Sequence, residues 1–148
     1  MMADSKQLEN TARIFATKLV HCVMRKYIPN WTPEVAIEDD DIFPDSMKTE
    51  IEKVCQENAL LFSGEYQRKF GGKEKTNATF EKFCSHMSSL IQDEEENRDI
   101  FLYYAAKLAR ISTHIYENVV EAPNIAIGHI TYVLITRYPT FLKKTPGE

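Results

Sequence analysis

The sequence predicts an all-α fold, and three observations support this prediction. Apolar residues recur every three or four positions over long stretches, which is the spacing of one helix face. Glycine (5) and proline (6) are scarce among the 148 residues, whereas folds of many short strands use more of both in their turns. With 43% hydrophobic and 27% charged residues the composition is that of a globular protein, and we expect one domain over residues 1–148.

A first amphipathic helix is predicted over residues 5–27, and Pro29 and Pro33 then end the helical pattern. Residues 36–46 follow as an acidic loop. This loop contains the run Glu-Asp-Asp-Asp, and like charges side by side repel each other, which favours a solvated connection.

Two further amphipathic helices are predicted after this loop. Asp45 or Ser46 can cap the second helix, because short polar side chains bond the free amides of a first turn. The Gly71-Gly72 pair ends that helix. Thr79 is the predicted cap of the third helix.

The fourth helix, residues 97–116, differs from the others because it has apolar residues on all sides. Residues 100–106 are consecutive apolar positions. A helix that is apolar all round is buried all round, so we expect it at the centre of the fold. The acidic run at 93–96 suits the positive N-terminal end of this helix.

A fifth long helix is predicted to begin near Pro123 and to end at Pro139. A polar tail, residues 143–148, follows it. In total we expect a bundle of about seven helices, with amphipathic helices wrapped around the central apolar one.

Charge and hydropathy exclude several classes of protein. The net charge is −4 and no cluster of Lys and Arg is present, so we expect no nucleic-acid binding. No apolar run approaches the ~20 residues of a transmembrane anchor, and no signal peptide is predicted. The three cysteines are Cys22, Cys55 and Cys84, an odd number that favours a reducing compartment over a disulfide framework.

Motifs that carry chemistry are absent from the sequence. It has no Gly-rich phosphate loop, no nucleophile elbow and no cysteine pair with zinc spacing, so we predict no enzyme, no metal site and no cofactor. Four histidines, among them His86 and His114 on predicted helices, raise the question of haem. A bundle that binds haem or another small ligand is therefore an alternative function.

Aromatic residues on the second, third and fourth helices have two interpretations. They form one closed core, or the helices splay and leave an apolar groove that receives an amphipathic partner helix. Periodicity favours the closed core but does not separate the two.

A resemblance favours the groove. Several segments resemble, in their order and spacing, motifs of the B-cell lymphoma-2 (Bcl-2) family of apoptosis regulators, and together they cover about residues 51–141. The segments are FSGEYQRKF at 62–70, TFEKF at 79–83, SLIQD at 89–93, IFLYY at 100–104 and YVL at 132–134 with Pro139 and Phe141.

The resemblance implies a Bcl-2-like bundle that inhibits host apoptosis by sequestering pro-apoptotic helices, those of the third homology (BH3) motif, in a surface hydrophobic groove. It assigns one wall to the second helix, the other to the third, and the floor to Phe101, with Arg98 as the polar anchor. The eight groove residues are Phe62, Tyr66, Phe70, Phe83, Met87, Leu90, Arg98 and Phe101. On this assignment, Phe101→Asp abolishes binding and leaves a folded chain.

The sequence departs from the family pattern at the polar anchor. The family motif reads Asn-Trp-Gly-Arg, and its arginine pairs with an aspartate of the ligand helix. Here Asp99 occupies the arginine column and would repel that aspartate. Arg98 replaces the arginine if the helix start is shifted by one residue, and otherwise it is a solvated surface residue.

Other departures bear on the role within the family. Leu60 stands where the aspartate of the chain's own third-homology segment is expected, which argues against a killer ligand. The family's Gly-Trp motif and membrane anchor are missing, as in a divergent, virus-encoded survival protein. The resemblance implies action in the host cytoplasm, peripherally at mitochondria, with Bim as the first expected partner. A pro-apoptotic role and a homodimer remain alternatives.

Overall fold

The computed structural model describes residues 2–33, 42–93 and 95–142, and over these residues the protein is all-helical. This confirms the predicted all-α class. The described residues form six α-helices and one short 3-10 helix, which are α1 (Met2–Tyr27), α2 (Asp45–Glu57), α3 (Ala59–Phe70), α4 (Asn77–Gln92), α5 (Arg98–Ile115), α6 (Ala122–Arg137) and the 3-10 helix Pro139–Leu142. The tail at 143–148 and residues 36–41 of the predicted acidic loop lie outside the described residues.

The predicted second helix is two helices, α2 and α3, because the helix is interrupted at Asn58. The backbone of Asn58 leaves the helical region (φ −113°, ψ 17°), and its side-chain amide donates to the carbonyl of Val54 at 2.9 Å. The predicted caps of this helix are wrong. Pro44 precedes the first turn, and Asp45 and Ser46 already lie within α2.

The starts of α4 and α5 also differ from the prediction. Thr76, not Thr79, caps α4, and the two threonines form a capping box in which each hydroxyl accepts from the other's amide. Asn97 caps α5 by accepting from the amides of Asp99 and Ile100. The acidic run at 93–96 does not begin α5, since Asp93 closes α4 and Asp99 is the acidic residue of the first turn of α5.

The end of α3 is as predicted and depends on glycine. A Cβ on Gly71 would lie 2.4 Å from the carbonyl oxygen of Gln67, so any side chain there would force the backbone to move. Gly72 has a φ of +69°, which favours glycine. The two glycines end α3 at Phe70 and turn the chain toward α4.

Helix α5 packs against α1, α2, α3, α4 and α6, and α1 packs in turn against α6. Ile111 and Leu108 of α5 are fully buried, as are Phe15 and Leu19 of α1. All three cysteines are buried and free. No described helix is both long enough and apolar enough to cross a membrane.

Candidate functional site

Two neighbouring cavities open on one side of the bundle, where α3 and α4 both pack on α5. We call this region the trench and define it by the residues that line these cavities. One cavity lies between α4 and α5, and the other lies between α3 and α4. They occupy successive turns of α4, so together they form a surface that is more than two helical turns long.

The cavity between α4 and α5 has a volume of about 260 Å³ and is mainly apolar. Its lining residues are Met87, Leu90, Ile91, Ile100, Tyr103, Tyr104 and Lys107. The Leu90 side chain is 50% exposed, which is unusual for a leucine on a helix that otherwise buries its apolar stripe. This cavity therefore offers apolar contact to a partner rather than a closed core.

The cavity between α3 and α4 has a volume of about 480 Å³ and combines an aromatic base with a basic rim. The rings of Phe70 and Phe83 lie 5.5 Å apart, edge to face, and join the two helices. The polar residues around them are Lys69, Lys73, Glu74, Thr79, Lys82 and His86. Three lysines against one glutamate make this end of the trench positive in a protein whose net charge is −4.

Lys107 of α5 lines the cavity between α4 and α5. Its ammonium donates to Glu65 Oε1 of α3 at 2.9 Å and approaches the sulfur of Met87 in α4 at 3.9 Å. It also lies 4.9 Å from the centre of the Tyr103 ring. Both side chains of the Lys107–Glu65 pair are only 13% exposed, so this ion pair is partly desolvated, and it connects α5 to α3.

The structure brings four of the eight predicted groove residues together in the trench. Phe70 and Phe83 line one cavity, and Met87 and Leu90 line the other. Two more of the predicted residues lie beneath this surface. Phe62 is fully buried with its ring 5.3 Å from that of Tyr103, and Tyr66 stacks on His114 at 5.2 Å.

The other two predicted residues lie elsewhere. Phe101, the predicted floor, is fully buried on the opposite side of α5, with its ring 5.0 Å from Tyr138 and 4.7 Å from Phe141. Arg98, the predicted anchor, pairs with Glu50 of α2 and lies 5.5 Å from the Phe141 ring. Neither residue lines a trench cavity, so Phe101 and Arg98 are left out of the site.

Four residues of α5 that are not among the eight predicted groove residues belong to the trench. They are Ile100, Tyr103, Tyr104 and Lys107, and their spacing of three and four positions places them on one helix face. Lys107 could have indicated this face from the sequence, because a charged residue in an otherwise apolar helix marks a side that the other helices leave open. His114, half-buried and seven residues further on, continues this face.

A second, polar cleft of about 620 Å³ lies between α4 and α6. His129 of α6 bonds to Glu81 Oε1 through Nε2 at 2.7 Å and to Ser88 Oγ through Nδ1 at 3.3 Å. Ser88 Oγ and Tyr104 Oη are 2.7 Å apart and share a hydrogen bond. This chain of bonds connects α6, α4 and α5, and each of these four polar groups has a partner.

Burial dominates the shifted pKa values. Desolvation raises the pKa of the Cys22 thiol to about 12 and that of Cys55 to about 11, so both remain protonated and unreactive at neutral pH. Burial lowers the pKa of His114, and the nearby Arg110 charge lowers it further. Among the described residues, no group of three or more His, Cys, Asp or Glu side chains could hold a metal ion.

Comparison with known proteins finds no match: no family model fits the chain, and no curated protein or solved structure is detectably similar to it. The geometry of the trench is therefore the main basis for a functional proposal.

Proposed function

We propose that the trench binds an amphipathic helix of a partner protein. The single observation that carries this proposal is the pair of open cavities on successive turns of α4, one bordered by α3 and the other by α5. A partner helix in such a groove inserts apolar side chains spaced three, four and seven residues apart. Phe83 and Leu90 are seven residues apart on α4, which is about 10 Å of helix and matches two turns of a ligand.

The resemblance in the sequence extends this proposal to a biological role. We propose that the partner helices are those of pro-apoptotic BH3-motif proteins, Bim first, and that their sequestration inhibits host apoptosis. The packing of α5 against five other helices supports a Bcl-2-like arrangement with α5 at its centre. The activity proposed is binding, without catalysis, in the host cytoplasm or peripherally at mitochondria.

Titration of the purified protein against fluorescently labelled BH3-motif peptides, at fixed salt, tests the proposal. We expect submicromolar binding of the Bim peptide. Leu90→Glu places a charge in the cavity between α4 and α5, and we expect it to abolish binding.

Leu60→Glu is the matched control, because Leu60 is a helical leucine that is 90% exposed and lies outside both trench cavities. It introduces the same charge, and we expect it to bind like the wild type. Circular dichroism checks that both variants fold. Absence of binding by a folded wild-type protein across the panel, or equal binding by the two variants, would refute the proposal.

A further inference from the structure

We propose that Lys107, rather than Arg98, is the residue that selects the partner helix, and that it does so by binding an acidic side chain placed between two apolar anchors of that helix. This inference rests on the proposed function and adds the chemistry by which the trench discriminates among helices.

The position of Lys107 is the first reason. Its ammonium group has three donors, and among the described residues its one oxygen acceptor is Glu65. The weak sulfur contact to Met87 points a second donor toward α4, across the cavity between α4 and α5. A helix lying in the trench covers the cavity that Lys107 lines and removes the remaining water from its ammonium group. A carboxylate at that point of the ligand compensates for the lost hydration, whereas an apolar residue does not.

The charge of the surrounding surface is the second reason. Lys69, Lys73 and Lys82 border the neighbouring cavity, and Glu74 is the acidic residue among them. These lysines form a basic surface beside the cavity that Lys107 lines, on a protein with a net charge of −4. Complementary potentials favour a partner helix with a negative polar face and disfavour a basic one.

The arrangement of Arg98 is the third reason. Its guanidinium pairs with Glu50 and lies over the Phe141 ring, and it lines neither trench cavity. To reach the trench it would have to leave both partners. Lys107 already lies there.

Glu65 gives the selection a second component. Two carboxylates beside one ammonium repel each other, so the ligand carboxylate competes with Glu65 for Lys107. The resident ion pair thus weakens every acidic ligand to some extent, and it also reduces the penalty for a ligand without the acid, because Lys107 keeps Glu65 as a partner. Removing the Glu65 charge is therefore expected to strengthen binding of an acidic helix.

A double-mutant cycle tests the inference with the Bim peptide, which carries the motif aspartate, and its aspartate-to-alanine form. Because Lys107→Met alone would leave the Glu65 carboxylate without its partner, the cycle compares E65Q with E65Q/K107M. We expect E65Q to bind the aspartate peptide more tightly than the wild type, and E65Q/K107M to bind it about 10- to 100-fold more weakly than E65Q. The alanine peptide is expected to bind E65Q/K107M at least as tightly as E65Q, because it covers an uncompensated ammonium only in E65Q.

Arg98→Met is the matched control, and we expect it to weaken both peptides by the same small factor. Lys107→Arg keeps the charge and is expected to retain the preference for aspartate. Equal losses for both peptides in E65Q/K107M, or a preference for aspartate that disappears in Arg98→Met, would overturn the inference and leave helix binding established. A folded wild-type protein that binds neither peptide would overturn the proposed function, and the inference with it.

Discussion

Phe101 and Tyr103 lie two residues apart on α5, in one unbroken apolar run, yet their surroundings differ completely. Phe101 is fully buried between Tyr138 and Phe141, whereas Tyr103 lies half-buried between Phe62 and Lys107 at the trench. The side chains of two helical residues that are two positions apart point about 200° away from each other, so Phe101 and Tyr103 face nearly opposite sides of α5. Burial of an apolar helix is thus set by which helices cover each side, and α5 keeps one side partly open.

The largest effect that separates the two sides is expected from truncation of the aromatic rings. Phe101→Ala should lower the free energy of unfolding by about 3–5 kcal/mol, because it leaves a cavity in a closed core. Tyr103→Ala, on the open side, should lower the free energy of unfolding by clearly less than Phe101→Ala. Urea denaturation of both variants measures the difference, and equal losses would mean that the trench side is closed as well.

Phe101→Asp belongs to the same comparison. From the sequence this variant was expected to remain folded and to lose binding. The Phe101 ring is fully buried, so an aspartate at this position would bury an unpaired carboxylate. We therefore expect the variant to unfold. A native-like circular dichroism spectrum and melting curve would contradict the placement of Phe101.

A smaller loss of stability is expected from changes to the hydrogen bonds that connect α5 with α4 and α6. Ser88→Ala leaves the buried Tyr104 hydroxyl without the hydrogen bond described above, which should cost about 1–3 kcal/mol. Tyr104→Phe should cost less, because it removes the hydroxyl itself and Ser88 keeps His129 as a partner. Thermal or urea unfolding compares the two variants, and the reverse order would show that the Ser88–Tyr104 bond does not carry this contribution.

The smallest effect concerns pH and the open side of α5, where His114 stacks on Tyr66. Its pKa is lowered in the folded protein by burial and then by Arg110, so the unfolded chain takes up the proton first as the pH falls. Stability is therefore expected to be complete above about pH 6.5, the ordinary histidine pKa, and to decrease below it.

His114→Phe keeps a ring against Tyr66 and removes the titration, so its stability should depend less on pH between about pH 7.5 and about pH 5.5. Some dependence should persist, because burial and Arg25 also lower the pKa of His21. Melting temperatures of the wild type and the variant across this pH range measure the difference. Parallel pH profiles would exclude a contribution from His114.

Local signals made the helical class and several helix ends predictable from the sequence. Gly71 and Pro139 end their helices at the expected places, because steric limits on single residues require no knowledge of the fold. The break at Asn58 was not predicted. The apolar stripe continues across it, from Ile51 to Phe62, and the break is visible only in how the Asn58 side chain bonds to the preceding turn.

The candidate site was predictable only in part. The resemblance assigned Phe83, Met87 and Leu90 to one wall of the groove, and their shared face on an amphipathic helix could be read from the local spacing. The assignments of Phe101 and Arg98 depended on which way α5 faces, and an apolar run gives no such direction. The choice of Tyr103 over Phe101 required the positions of the surrounding helices.

The packing of α1 against α6 has a consequence for the time course of folding. Helices α2 to α5 lie between these two in the sequence, so the contact joins distant parts of the chain. Closing such a long loop costs entropy before the contact returns any energy, which slows folding relative to a bundle of sequential hairpins. During synthesis, the side of α1 that packs on α6 stays uncovered until α6 has left the ribosome, and we expect chaperones to bind the nascent chain in that interval.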